Sequence, residues 1–93
     1  METTSDIQIG QVVRSKAGRD KGRVFVVIDI LDDKYVLIVD GDLRKLDKPK
    51  KKKIKHLIVY KTVLENIKEK IEKGEKFNNA YVRKCLKPFN EEI

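Results

Sequence analysis

From Ile9 to Tyr60 the apolar residues are mostly β-branched and fall in short runs broken by glycine and aspartate, a pattern that predicts strands. Gln11 to Lys16 reads as a first strand. Arg23 to Leu31 reads as a second, in which Val24, Val26, Ile28 and Ile30 share one face at period two. Asp32 and Asp33 supply a turn. Tyr35 to Val39 is a third strand, apolar on both faces and therefore expected to be central. Asp40-Gly41 suits a tight hairpin turn because glycine tolerates positive φ. Leu43 to Leu46 is expected as a short fourth strand, and Ile54 to Val59 as a fifth. Short antiparallel strands with tight turns over this length cannot make a large sandwich, but they can curl into a small barrel that hides its edges. The expected fold is therefore mainly β: an SH3-like barrel of about five strands over residues 7–60.

After Tyr60 the periodicity changes to that of a helix. Thr62 and Glu65 have the spacing of a capping box, and Val63, Leu64, Ile67 and Ile71 recur on one side, with Gly74 as the stop. A second helix is expected to start at Asn78 or Asn79, to carry Val82, Cys85, Leu86 and Phe89 on one face, and to end before or around Pro88. These two short helices, within residues 61–93, need a partner for their apolar faces, and the barrel is the simplest one. Residues 1–6 have no such pattern and are expected to be disordered.

A chain of 93 residues buries only roughly 60 to 70% of its unfolded surface, which points to one core; the chain is expected to be a monomer. The apolar run Tyr35 to Val39 falls far short of the roughly 18 residues of a membrane span. Met1 to Asp6 lacks the basic and apolar regions of a signal peptide, so a cytoplasmic location is expected. With one cysteine and one histidine, neither a disulfide nor a zinc site is expected. Cys85 reads as a small core residue and His56 as a packed or surface residue. Asp32-Asp33 and Asp40-Gly41-Asp42 lack calcium-loop spacing and read as turns. No nucleophile, base or metal set is arranged along the chain, so no enzyme activity, cofactor or small-molecule substrate is expected.

Charge changes the picture through its placement. Residues 1–43 carry a net −2, residues 44–61 a net +8 and residues 62–93 a net +1. A local block of this kind attracts polyanions and is screened by salt. Its centre is Lys48, Lys50, Lys51, Lys52, Lys53 and Lys55, with Arg44 and Lys45 just ahead. Such a run reads either as a solvated loop or as a phosphate-binding segment, in which counterion release would give a log–log salt slope of about −0.7 to −0.9 per phosphate. Lysine is a point charge, so the segment would supply affinity more than sequence discrimination.

A second candidate is the loop Ala17-Gly18-Arg19-Asp20-Lys21-Gly22-Arg23. Gly18 and Gly22 permit a bend, and they would also let the backbone approach a phosphate beside Arg19, Lys21 and Arg23. The loop lacks the ending of a nucleotide-binding P-loop.

Ile9 to Arg23, followed by the apolar strand Val24 to Ile30, resembles a KOW motif, with Gly22 at the position of its hallmark glycine. The longer stretch through Val27 to Asp33, Leu37 to Gly41 and Lys53 to Leu57 is similar to the eukaryotic and archaeal large-subunit ribosomal protein family called L-fourteen-e. Tyr81-Val82-Arg83-Lys84 resembles that family's helical part. The resemblance covers about three quarters of the chain. The dense Lys50 to Lys53 cluster and the acidic end Glu91-Glu92 depart from it and suggest a bacterial-type relative. What it implies is a KOW barrel that binds RNA, expected to be ribosomal RNA, without catalysis. Arg14 and Lys16, on the strand entering the loop, join the candidate contacts.

The competing expectation is a protein-interaction KOW barrel of a transcription or translation factor. Peptide or methyl-lysine reading is disfavoured, because both need clustered aromatics and the chain has no tryptophan.

Overall fold

Strands form where the alternation allows burial on both sides. In the computed structural model, which describes residues 3–90, they are β1 (Gln11–Ser15), β2 (Val24–Ile30), β3 (Tyr35–Val39), β4 (Lys50–Lys53) and β5 (Leu57–Val63), followed by helices α1 (Glu65–Glu72) and α2 (Asn79–Asn90). The strands make one antiparallel sheet in the order β4-β3-β2-β1-β5. A single 3-10 turn, Ile54–His56, joins β4 at one edge to β5 at the other. Such a turn advances the chain by only roughly 6 Å, whereas the outer strands of a flat five-stranded sheet lie roughly 19 Å apart. The sheet must curl, and the result is a small SH3-like barrel.

Curling divides the core in two. Inside the barrel lie Val13, Phe25, Val27, Val36 and Ile38, closed by Ile7, Ile54 and Leu57. On the outer face, Val12, Val24, Val26 and Val39 pack against Ile67 of α1 and Val82 and Leu86 of α2. β1 to β3 are therefore covered on both sides, which is why Val12-Val13 and Val24 to Val27 are unbroken apolar runs. Ile67, Val82 and Leu86 are fully buried and contribute at most roughly 1.5–3 kcal/mol each, enough to hold helices too short to persist alone.

Several expectations need correction. Leu43 to Leu46 is not a strand, and the fourth strand is Lys50–Lys53, paired with β3 from Tyr35↔Lys53 to Ile38↔Lys50. Leu43 is exposed, while the Leu46 N–H is taken by Asn79 Oδ1 at 2.9 Å. Ile30 leaves the face of Val24 and Val26 because the register shifts between Val27 and Asp29, and it joins the barrel interior. Ile54–His56 turns rather than extends, so β5 starts at Leu57 and runs on to Val63. Thr62 consequently lies in the strand and caps nothing; α1 is preceded by Leu64, whose N–H donates to Gly10 O at 2.7 Å. α2 passes Pro88 and continues to Asn90, the last described residue, with Phe89 packed against Tyr60. Thr4–Asp6 form a 3-10 turn, not a disordered arm. Thr4 is buried and bonds Asp32 O and Asp33 O. Met1, Glu2 and the acidic end Glu91-Glu92 lie outside the described residues.

Other local expectations stand. Asp32 Oδ1 accepts the N–H groups of Lys34 and Tyr35, both at 2.8 Å, to close the β2–β3 turn. Those backbone bonds, Lys34 first, hold its carboxyl below the ordinary value. α1 ends at Gly74, φ +70°, where Gly74 N–H bonds Ile71 O and Glu75 N–H bonds Lys70 O, a Schellman stop. Among the described residues, no helix is long and apolar enough to cross a membrane.

Candidate nucleic-acid interface

In an antiparallel meander the β1–β2 and β3–β4 connections lie at the same end, so the two basic segments singled out by charge become neighbours. Each connection is first ordered within itself. Residues 16–23 fold back with Gly22 N–H on Ser15 O at 2.7 Å, Ser15 N–H on Arg23 O at 3.0 Å and Arg23 N–H on Asp20 O at 2.9 Å. Gly22, at φ +89°, has nothing within 4 Å of where a side chain would be. Its glycine is required by the backbone angle, and the space beside it is open. In the β3–β4 connection, buried Asp40 accepts the N–H groups of Asp42 at 3.0 Å and Arg44 at 2.8 Å through Oδ1.

The connections are then tied together by exchanged ion pairs. Arg23 donates Nε and Nη2 to Asp40 Oδ2 at 3.2 and 2.9 Å, and Nη2 also reaches Asp42 at 3.3 Å. The hydrogen bond to Asp40 is the main cause that raises the Arg23 pKa above its ordinary value. In the opposite direction, Arg44 Nη2 lies 3.4 Å from buried Asp20. Lys52 adds a third tie, donating Nζ to Ala17 O at 3.0 Å.

The candidate residues therefore differ in role. Arg23, Arg44 and Lys52 are engaged inside the protein, Lys52 being only 8% exposed. Lys51 and Lys53 project over Tyr35, with Nζ 4.6 and 5.8 Å from the ring centroid. Arg14 is half-buried, its guanidinium 5.6 Å from the Tyr60 ring. Lys16, Arg19, Lys21, Lys45, Lys48 and Lys55 are exposed, and Lys50 is half-buried at the start of β4. His56 O accepts the Lys16 N–H at 2.9 Å, which brings the turn carrying Lys55 beside the first loop. Lysines on an edge strand also discourage pairing with another sheet, which accounts for part of the β4 sequence without any ligand.

Sequence reasoning missed two sets of residues. Beyond the turn read at Asp40-Gly41, the anchoring role of Asp20 and Asp40 carried no signal, since it depends on which loops meet. Arg83, Lys84 and Lys87 on α2 did carry one: they fall between Val82 and Leu86 of the apolar face and past them, on the exposed side. With Arg23, Asp40, Asp42 and Asn90 they line a groove of about 520 Å³. A neighbouring groove of about 510 Å³ shares Arg23 and Asp42 and is lined by Leu43, Arg44, Lys45, Asp47 and Lys48.

No family model matches the chain. Over 51 residues it is 39% identical to large ribosomal subunit protein eL14 of the organism Desulfurococcus amylolyticus, a stretch covering 55% of this chain and 53% of the relative. The chain thus spans about half the length of this curated relative. The resemblance read from the sequence and this similarity are to the same protein, eL14.

Proposed function

We propose that the protein is a non-catalytic, ribosome-associated RNA-binding component whose ligand is ribosomal RNA. It works in the cytoplasm as a monomer, without cofactor or small-molecule substrate. Its basic loops contact phosphates. The observation that carries this reading is the exchange of ion pairs between residues 16–23 and 40–48. It fixes Arg19, Lys21, Lys45 and Lys48 on an ordered base, so binding a phosphate strand costs less in chain ordering than it would on a free arm. Lys50, Lys51 and Lys53 extend that charge along the sheet edge, and the open space beside Gly22 leaves room for a sugar-phosphate backbone. The similarity to eL14, a large-subunit protein by name, supports ribosomal RNA as the class. RNA recognised in this way is read by shape and phosphate position. The test is a filter-binding titration against ribosomal RNA between about 50 and 200 mM salt, where several phosphate contacts should produce a steep loss of affinity. A flat response rejects the reading.

Ile58 and Val59, 45% and 41% exposed on edge strand β5, favour a second reading in which the barrel docks another protein. Partners that survive a pull-down from nuclease-treated lysate would support that reading, whereas RNA-mediated partners would disappear.

A further inference from the structure

We propose that α2 is part of the RNA-binding surface, and that a phosphodiester strand leaves the basic loops by crossing the groove between the Asp40–Asp42 turn and Arg83, Lys84 and Lys87. This rests on the reading under Proposed function and extends it to a segment that could otherwise serve only to cover the sheet.

Three observations favour this path. First, α2 is pinned against the turn. Arg83 Nη1 donates to Gly41 O at 2.5 Å, and Asn79 Oδ1 accepts the Leu46 N–H at 2.9 Å. The helix thus forms one wall of the groove and the turn the other. Second, the carboxylates in the groove are largely occupied. Asp40 is buried and bound by Arg23 and two backbone N–H groups, and Asp42 also faces Arg23. Among the described residues, Arg83 and Lys84 therefore bring more positive charge to the lip than Asp40 and Asp42 leave uncompensated. Third, the groove runs on through Arg23 and Asp42 into the one lined by Arg44, Lys45 and Lys48. Two adjoining basic troughs suit an extended polyanion better than a single phosphate, and base discrimination is not expected from lysines.

The experiment measures binding of a labelled homopolymeric uridine oligonucleotide and of an RNA hairpin of about 16 base pairs across a salt series. Three proteins are compared: wild type, Lys84→Gln/Lys87→Gln, and Lys61→Gln/Lys76→Gln, which removes equal charge at exposed positions elsewhere. All the substituted lysines are exposed, so both variants should keep the wild-type thermal midpoint. The groove variant should bind about tenfold more weakly, with a salt slope shallower by about 0.7 to 0.9 for each phosphate no longer neutralised. The control variant should keep the wild-type slope. Equal behaviour of the two variants, or a wild-type slope in the groove variant, overturns the inference while leaving RNA binding through the loops intact. Absence of salt-dependent RNA binding by the wild type rejects the underlying reading itself. Competition by polyglutamate as strong as that by RNA would assign the groove to acidic proteins and reject a phosphodiester ligand.

Discussion

Arg23 closes onto Asp40 across the end of the barrel, with Nη2 2.9 Å and Nε 3.2 Å from the same carboxylate oxygen. The other oxygen of Asp40 holds the N–H groups of Asp42 and Arg44. One buried side chain therefore shapes its own turn and fastens it to the neighbouring loop. Arg23 is 42% exposed, so solvent screens the ion pair, and the backbone bonds account for most of what Asp40 contributes.

Asp40→Ala should therefore destabilise the protein by roughly 1–2 kcal/mol, because two part-buried backbone donors are deprived of their acceptor. Asp40→Asn keeps an oxygen for the turn and should cost about half as much. Urea unfolding at neutral pH measures both. An Asp40→Ala variant as stable as wild type would show that the turn is held by something other than this carboxylate.

The four lysines of β4 are chemically identical in the sequence but not in their surroundings, and substitution should separate them. Lys52 buries its stem and bonds Ala17 O, so Lys52→Ala should lower stability by roughly 1–2 kcal/mol through removal of that hydrogen bond and its packing. Lys51 is exposed over Tyr35. Lys51→Ala should change stability by less than about 1 kcal/mol and instead weaken RNA binding, with a salt slope shallower by about 1. Thermal unfolding and a salt titration on the same two variants give both readouts. The roles are misassigned if Lys51→Ala is the less stable of the pair.

How far the fold was legible follows from the same distinction between local and long-range causes. Tyr35 to Val39 announced a central strand because burial on both faces removes polar positions from the strand itself. Gly74 and the apolar stripe of α2 were equally local signals. Lys50 to Lys53 gave no strand signal: lysine is depleted in strands, and this segment is extended because it pairs with β3 and drapes over Tyr35. Leu43 to Leu46 misled in the other direction, its apolar residues serving a loop whose Leu46 packs towards the helices. The bulge that turns Ile30 inward is set by the partner strand and leaves no mark in the alternation. The basic character of the interface was plain from charge counting. Which arginines are locked by Asp20 and Asp40, and which helix borders the groove, depended on the meeting of distant loops.

Gly41 and Gly22 share a positive backbone angle, φ +78° and +89°, but differ in what surrounds them. Alanine in the left-handed region costs roughly 1–2 kcal/mol, and at Gly22 that should be the whole effect because the space is empty. At Gly41 a Cβ would collide with the Asn79 carbonyl oxygen and press on the Arg83 side chain at 3.1 Å. The backbone of α2 would have to retreat, loosening the Arg83 bond to Gly41 O and the Asn79 bond to Leu46. Gly41→Ala should therefore be clearly the more destabilising of the two, by a margin of about 1 kcal/mol or more, in line with overpacking penalties. It should also speed hydrogen exchange of the Leu46 amide. Urea midpoints together with amide exchange test this: equal destabilisation by Gly22→Ala and Gly41→Ala, with Leu46 protection unchanged, would mean that the turn and α2 do not touch.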